Sequence, residues 1–202
     1  MDAILRCLIQ PRFPALILRR TMPDLRRSHL NFIPYEMDQL GGEFLSTTSM
    51  AKFENGSFIQ FSQCESIKDV INYLGSQWGF IGFDELSTWP LDLFLQIAAA
   101  ARAALDSPYT SVVRGSSNTL GIGSQWMKQW FIDKDVSRED FPDYNPDDYQ
   151  MLFSTLDDNP HLDRVEYLKR LRNLPEHIRR SWLLGEFVTE GSYFGDFRPM
   201  MD

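Results

Sequence analysis

Asp84 and Glu85 stand side by side at the end of the apolar run WGFIGF, residues 78 to 83, and are followed by Leu, Ser and Thr. Such a run is how a strand covered on both faces reads. Side chains alternate across an extended segment, so adjacent acids at its end point in different directions and can do different work. Ligands of open α/β sheets bind beyond the carboxyl ends of the strands. The chemistry that fits is nucleotide hydrolysis, with Asp84 helping to hold a hydrated Mg²⁺ and Glu85 orienting and polarising the attacking water. The plainer alternative is a solvated loop or a helix cap. A second set, Ser116, Ser117 and Asn118, follows the segment SVVRG. Small polar residues there could sense a phosphate and relay its loss, and they also suit an ordinary turn.

These residues need elements to position them. MDAILRCLIQ has helical spacing closed by Pro11, and FPALILRRT reads as a short buried strand ending in basic and hydroxyl residues. MPDLRRSHLNFIPYEMDQLGG predicts an interrupted helix closed by paired glycines. In AKFENGSFIQFS, Asn55-Gly56 predicts a type I′ hairpin over or beside the main sheet. SIKDVINYLGSQ predicts a short helix ending near Gly75, and helix then buried strand indicates an α/β fold. Pro90 suits the first turn of a helix that LDLFLQIAAAARAAL continues to Ser107-Pro108, and YTSVVRGSSNT predicts a strand running into a polar loop. From Asp133 to Asp148 the chain is rich in acids and reads as a solvated loop, after which YQMLFSTL resumes strand character. The last predicted elements are two helices broken near Pro175 and closed at Gly185. Trp126 and Trp130, four residues apart, read as core.

With 43% hydrophobic residues in a length of 202, the chain can bury a sizeable core, which argues against disorder. The formal net charge of −8 repels nucleic acid overall, so any DNA contact must be local. Cys7 and Cys64 lie far apart with no CxxC, suggesting neither a zinc site nor a disulfide framework and fitting a reduced compartment. An acid at position 2 argues against a secretory signal, and FLQIAAAARAAL is too short and, at Arg102, too charged to span a bilayer.

YLGSQWGFIGFDELSTWP, then VVRGSSNTLGIGSQWMKQWFI, then DNPHL, YLKRLRNLPEHIRRSWLLGEF and GSYFGDF, in this order, resemble the large subunit of tailed-phage terminases. The resemblance implies a partial P-loop NTPase fold of the RecA type, a mostly parallel sheet flanked by helices with a hairpin and a C-terminal helical segment. It implies an ATP-driven motor that threads double-stranded viral DNA into a procapsid in the host cytoplasm, working as a homo-oligomeric ring with a portal protein and a small terminase subunit. ATP and Mg²⁺ are the implied cofactors. Asp84 matches the magnesium-associated acid of the Walker B motif, Glu85 the catalytic glutamate, and Ser116, Ser117 and Asn118 the coupling motif. ALILRRTMPDLRRS matches the strand and basic turn after the phosphate-binding helix, where Arg19, Arg20 and Arg26 could reach phosphate or simply lie at the surface.

The sequence departs from that pattern in three places. None of its lysines follows a glycine, so G-x-x-x-x-G-K-[ST] is missing, and the resemblance sets that loop ahead of residue 1, as in a truncated or split reading frame. Where relatives carry an arginine before Walker B this chain has Leu74, leaving Arg102 and Arg114 as candidates for a trans-acting role. The expected organisation is a partial ATPase core over 1–150, the end of that domain and a helical linker over 151–188, and the start of a nuclease domain over 189–202, whose metal-binding acids are not in the sequence. Lys169, Arg170, Arg172, Arg179 and Arg180 could track DNA or form a solvated helix face with Glu166 and Glu176. A chain without the loop could also be a non-catalytic remnant that docks onto the packaging machinery.

Overall fold

The computed structural model describes residues 1–187, which form two compact units dividing after Ser117. The expected functional division at residue 150 falls within the second unit, and the expected nuclease start at 189–202 lies outside the described residues.

The first unit is built on a six-stranded sheet of β1 (Pro14–Arg19), β2 (Glu43–Leu45), β3 (Met50–Lys52), β4 (Phe58–Gln63), β5 (Phe80–Asp84) and β6 (Val112–Ser116), in the order β2-β3-β4-β1-β5-β6. The β4, β1, β5 and β6 neighbours are parallel, and β2, β3 and β4 are joined antiparallel, giving the mixed, mostly parallel α/β sheet that the sequence predicts.

Alternation along the strands sorts the side chains into two layers. Ala15, Ile59, Phe61 and Phe80 pack beneath α1 (Asp2–Ile9), α2 (Met22–Leu25) and α3 (Ile33–Gln39), which contribute Ala3, Cys7, Leu25, Ile33 and Met37 to one core. Leu16, Leu18, Ile81 and Phe83 are also buried, and Phe83 meets Phe94 of α5 (Leu91–Ala98) at a ring separation of 5.1 Å and Trp89 at 4.9 Å. A short 3₁₀ turn over Ile67–Val70, fixed by a Ser66–Asp69 capping box, leads into α4 (Ile71–Leu74) and contributes buried Val70. With both faces covered, β5 reads as continuously apolar up to Asp84.

Four local expectations are corrected. Asn55 does not take the positive φ that a type I′ turn demands; Phe53 and Ser57 close a three-residue loop with only Gly56 at positive φ, and β4 lies inside the sheet. Asn55 is drawn instead into bonds from its amide to the Cys7 carbonyl and to its own carbonyl from the Ser57 amide. The helix after Pro90 stops at Ala98, because Ala100 to Arg102 pair with Trp78 as a short bridge. The YQMLFSTL segment forms no strand, and Leu152 and Phe153 are exposed.

The second unit begins at Asn118 and contains α6 (Ser124–Met127), a π-helical continuation over Lys128–Asp133, α7 (Arg164–Leu171) and α8 (Glu176–Leu184), which Gly185 closes at φ 66°. Trp126 and Trp130 are buried as expected. The acid-rich loop is not wholly solvated: Val136 and Tyr144 are buried, and Trp130 packs edge-on against Phe141, Tyr144 and Tyr149. Thr119 is also buried, with its hydroxyl 2.8 Å from that of Ser181 and donating to the Glu186 carbonyl.

Candidate active site

Asp84 is the last residue of β5 and Ser116 the last of β6, and the parallel register sets them opposite each other. The Ser116 hydroxyl donates to Asp84 Oδ1 over 2.7 Å. Oδ2 faces the other way, 2.9 Å from Arg19 Nε and 3.0 Å from His29 Nε2. Arg19 ends β1, one residue beyond the Leu18–Phe83 pairing, so its side chain emerges on the same face as that of Asp84. His29 comes from a π-helical turn, Arg26–Leu30, that continues α2, whose start is capped by Thr21.

Burial pushes the Asp84 carboxyl up, but hydrogen bonds with His29 and Ser116 and the charge of Arg19 outweigh it, so the group sits below the ordinary carboxylate range. It is therefore an anion at neutral pH, held by three side chains from three elements.

Glu85 turns the chain out of the sheet at φ 54° and ψ 58°, a left-handed conformation that costs a non-glycine residue about 1–2 kcal/mol. Its surroundings hold it there. Thr88 returns both its amide and its hydroxyl to the Glu85 carbonyl, the Ser87 amide donates to Ser117 Oγ over 2.7 Å, and the buried Trp89 donates its indole N–H to the Asp84 carbonyl. The Glu85 carboxylate is about half exposed and pairs with Arg19 Nη2, so one guanidinium bridges both acids. Backbone strain maintained by surrounding structure concentrates at functional sites.

A cleft of about 240 Å³ opens beside these groups, lined by the start of α1, His29, Asp84, Arg114, Gly115 and Ser116 among others. Its polar wall offers hard oxygen donors, Asp84 and the Ser116 hydroxyl. Among the described residues no group of three or more His, Cys, Asp and Glu side chains is arranged to hold a metal. This donor set suits an ion that keeps most of its water, as Mg²⁺ does, and not a directly caged one.

The structure thus brings together Asp84, Glu85, Ser116 and Ser117, while Asn118 opens the second unit. Arg20 is engaged elsewhere, donating to the Cys64 and Glu65 carbonyls with its guanidinium 5.4 Å from the Trp89 ring centre. Arg102 donates to the Leu74 carbonyl, and Arg114 lies 3.7 Å from Asp2. On the terminal helices Lys169 and Arg170 pair with Glu166, Arg179 with Glu176, and Arg180 with Glu186. His29 and Trp89 are the site residues that sequence reading does not find, and nothing in the spacing links residue 29 to residue 84.

No protein-family model and no curated protein sequence matches the chain. Solved structures do. The large terminase of a thermophilic bacteriophage superposes over 93% of this chain with a TM-score of 0.69 at 16% identity. The chain has the fold of a phage large-terminase ATPase domain. The same phage's large terminase in complex with ATP-γ-S matches over 93% of the chain with a TM-score of 0.63 at 16% identity. The Thermus phage P74-26 large terminase ATPase domain matches over the same share with a TM-score of 0.57 at 14% identity, and 81% of that domain is covered. The chain spans less than half of the thermophilic phage's large terminase, 44% in the first of these superpositions and 43% in the second. In this terminase-like fold the acids occupy the carboxyl edge of the parallel strands, where α/β sheets bind ligands.

Proposed function

We propose that the chain is the central part of an ATP-driven motor that packages double-stranded viral DNA, in which Asp84 and Glu85 serve ATP hydrolysis. The observation that carries this reading is the Ser116–Asp84 hydrogen bond across adjacent parallel strand ends that line a cleft, with the strained Glu85 following directly in the chain. The terminase-like fold supports it, and so do similar large terminases solved with ADP and ATP-γ-S.

In this mechanism Asp84 stays ionised and fixed, supplying a preorganised negative charge at the cleft wall. Glu85, half exposed, orients the attacking water. Ser116 reports on the occupancy of the cleft through its bond to Asp84, and Ser117 ties that strand end to the backbone just after Glu85. Asp84 and the Ser116 hydroxyl would hold hydrated Mg²⁺, which when bound neutralises phosphate charge.

The 202 residues hold no glycine-lysine phosphate loop, so hydrolysis requires one from elsewhere. The proposed organisation remains an ATPase core over 1–150, a domain end and linker over 151–188, and a nuclease start over 189–202, with DNA, a portal protein, a small terminase subunit and sister subunits of a ring as partners in the host cytoplasm. Among the described residues no helix is long and apolar enough to cross a membrane.

The test is Glu85→Gln in a chain carrying residues 1–202 together with such a loop. Hydrolysis falls by at least about a hundredfold while nucleotide binding persists; equal turnover removes Glu85 from the mechanism. A second reading is a non-catalytic module docking onto the packaging machinery. That reading predicts saturable binding to a portal or small-subunit protein with no affinity for ATP.

A further inference from the structure

Arg19 matches a segment in which arginines could reach phosphate, yet its guanidinium is occupied by acids. Nε lies 2.9 Å from Asp84 Oδ2, Nη2 pairs with Glu85, and Nη1 donates to the Asp24 carbonyl over 3.2 Å. The side chain is only 11% exposed. Two carboxylates therefore share one built-in positive charge, and one oxygen of Asp84 is covered by Arg19 and His29 together.

We infer that Arg19 is an exchangeable counter-cation. It holds Asp84 and Glu85 while the cleft is empty, keeps a bare divalent ion from binding tightly, and passes to the phosphates when a magnesium nucleoside triphosphate enters. The inference rests on the nucleotide-hydrolysing reading above and adds a role for Arg19 to it.

The physical basis is a matching of groups. A guanidinium forks onto phosphate oxygens as well as it does onto a carboxylate. The entering nucleotide brings both an anion for Arg19 and a hydrated cation for Asp84, so each charge that is given up is replaced and neither acid is left bare at a partly buried site. The partners differ in mobility. Asp84 is the more buried acid, with 22% of its side chain exposed, and is also held by Ser116 and His29. Glu85 is 49% exposed and loses its Arg19 partner in the exchange, which frees its carboxylate for water. Arg19 is thus a positioning residue that links arrival of the nucleotide to release of the water-orienting acid.

Mn²⁺ serves as the probe, titrated by electron paramagnetic resonance against the full chain. Arg19→Met binds Mn²⁺ about tenfold more tightly than the parent, a gain of about 1.4 kcal/mol. Adding Asp84→Asn removes the gain, and Arg19→Lys, which keeps the charge, stays near the parent. A folded Arg19→Met chain, judged by circular dichroism, with parent-like or weaker Mn²⁺ affinity overturns the inference.

If that variant does not fold, the loop-bearing chain with Arg19 unchanged decides through the Arg19 Nε–H signal in ¹H–¹⁵N spectra. The signal moves with Mg²⁺·ATP-γ-S and stays with Mg²⁺ alone; an equal shift in both overturns the exchange. Failure of ATP-γ-S to shift any signal of the loop-bearing chain, alongside the expected Mn²⁺ series, removes the nucleotide reading and leaves Arg19 as a counter-cation only.

Discussion

Ser116 Oγ donates to Asp84 Oδ1 over 2.7 Å, so the last residues of two adjacent parallel strands are tied at the edge of the sheet where the cleft opens. Hydrogen bonds to charged groups contribute about 1.5–3 kcal/mol when buried and less when wet. Because Ser116 is exposed, Ser116→Ala lowers stability by no more than about 1 kcal/mol. It raises the Asp84 pKa, read from the ¹³C carboxyl shift of Asp84 across an acid titration. An unchanged titration would mean that the serine does not hold the acid.

Asp84 also makes stability depend on pH. Its folded carboxyl lies below the ordinary range because His29, Ser116 and Arg19 outweigh burial. Its contribution is complete above the unfolded value of about 3.9 and is lost as pH falls through the lower folded value. Urea midpoints measured at stepped pH fall less steeply on acidification for Asp84→Asn than for the parent.

Gly115 governs the position of the segment after Glu85. A methyl group there would lie 2.7 Å from Leu86 Cδ2 and 3.2 Å from Leu86 Cβ. Gly115→Ala therefore displaces Leu86 and the turn after Glu85 with it, costing about 1–3 kcal/mol from overpacking. Turnover in a loop-bearing chain should fall more than nucleotide affinity. Parent-like turnover together with parent-like stability would show that Leu86 moves freely.

Trp89 is fully buried, packs on Phe83 and donates to the Asp84 carbonyl. Trp89→Ala costs about 3–5 kcal/mol by cavity formation. Trp89→Phe keeps most of the ring but leaves that carbonyl without its indole donor, for a smaller loss of about 1 kcal/mol. Equilibrium urea denaturation ranks the two, and the opposite order would contradict the packing.

In the second unit the Thr119 hydroxyl serves the Ser181 hydroxyl and the Glu186 carbonyl from a buried position. Thr119→Val preserves the shape and abandons those partners at about 1–3 kcal/mol. Hydrogen exchange should show α8 losing protection first; uniform loss throughout the chain would argue for a global effect.

Much of the site is legible in the sequence, because an apolar run ending in two acids can be read without tertiary knowledge. WGFIGF does become the doubly covered β5, and Ser116 does end the neighbouring strand. His29 is not legible in this way: it lies 55 residues from Asp84, and only the π-helical turn after α2 brings it over the sheet. The alanine-rich segment misleads for a different reason. Intrinsic helix preference favours AAAARAAL, but pairing with Trp78 competes and takes Ala100 to Arg102 out of the helix. YQMLFSTL has β-like composition yet forms no strand, and Leu152 and Phe153 are exposed.

The left-handed backbone at residue 85 sets two demands that pull against each other. The turn itself would favour glycine, which adopts positive φ without steric cost, whereas the chemistry proposed for it needs a carboxylate. Glu85→Gly should accordingly give a sturdier protein that has lost the acid, a trade in which folding gains what turnover gives up.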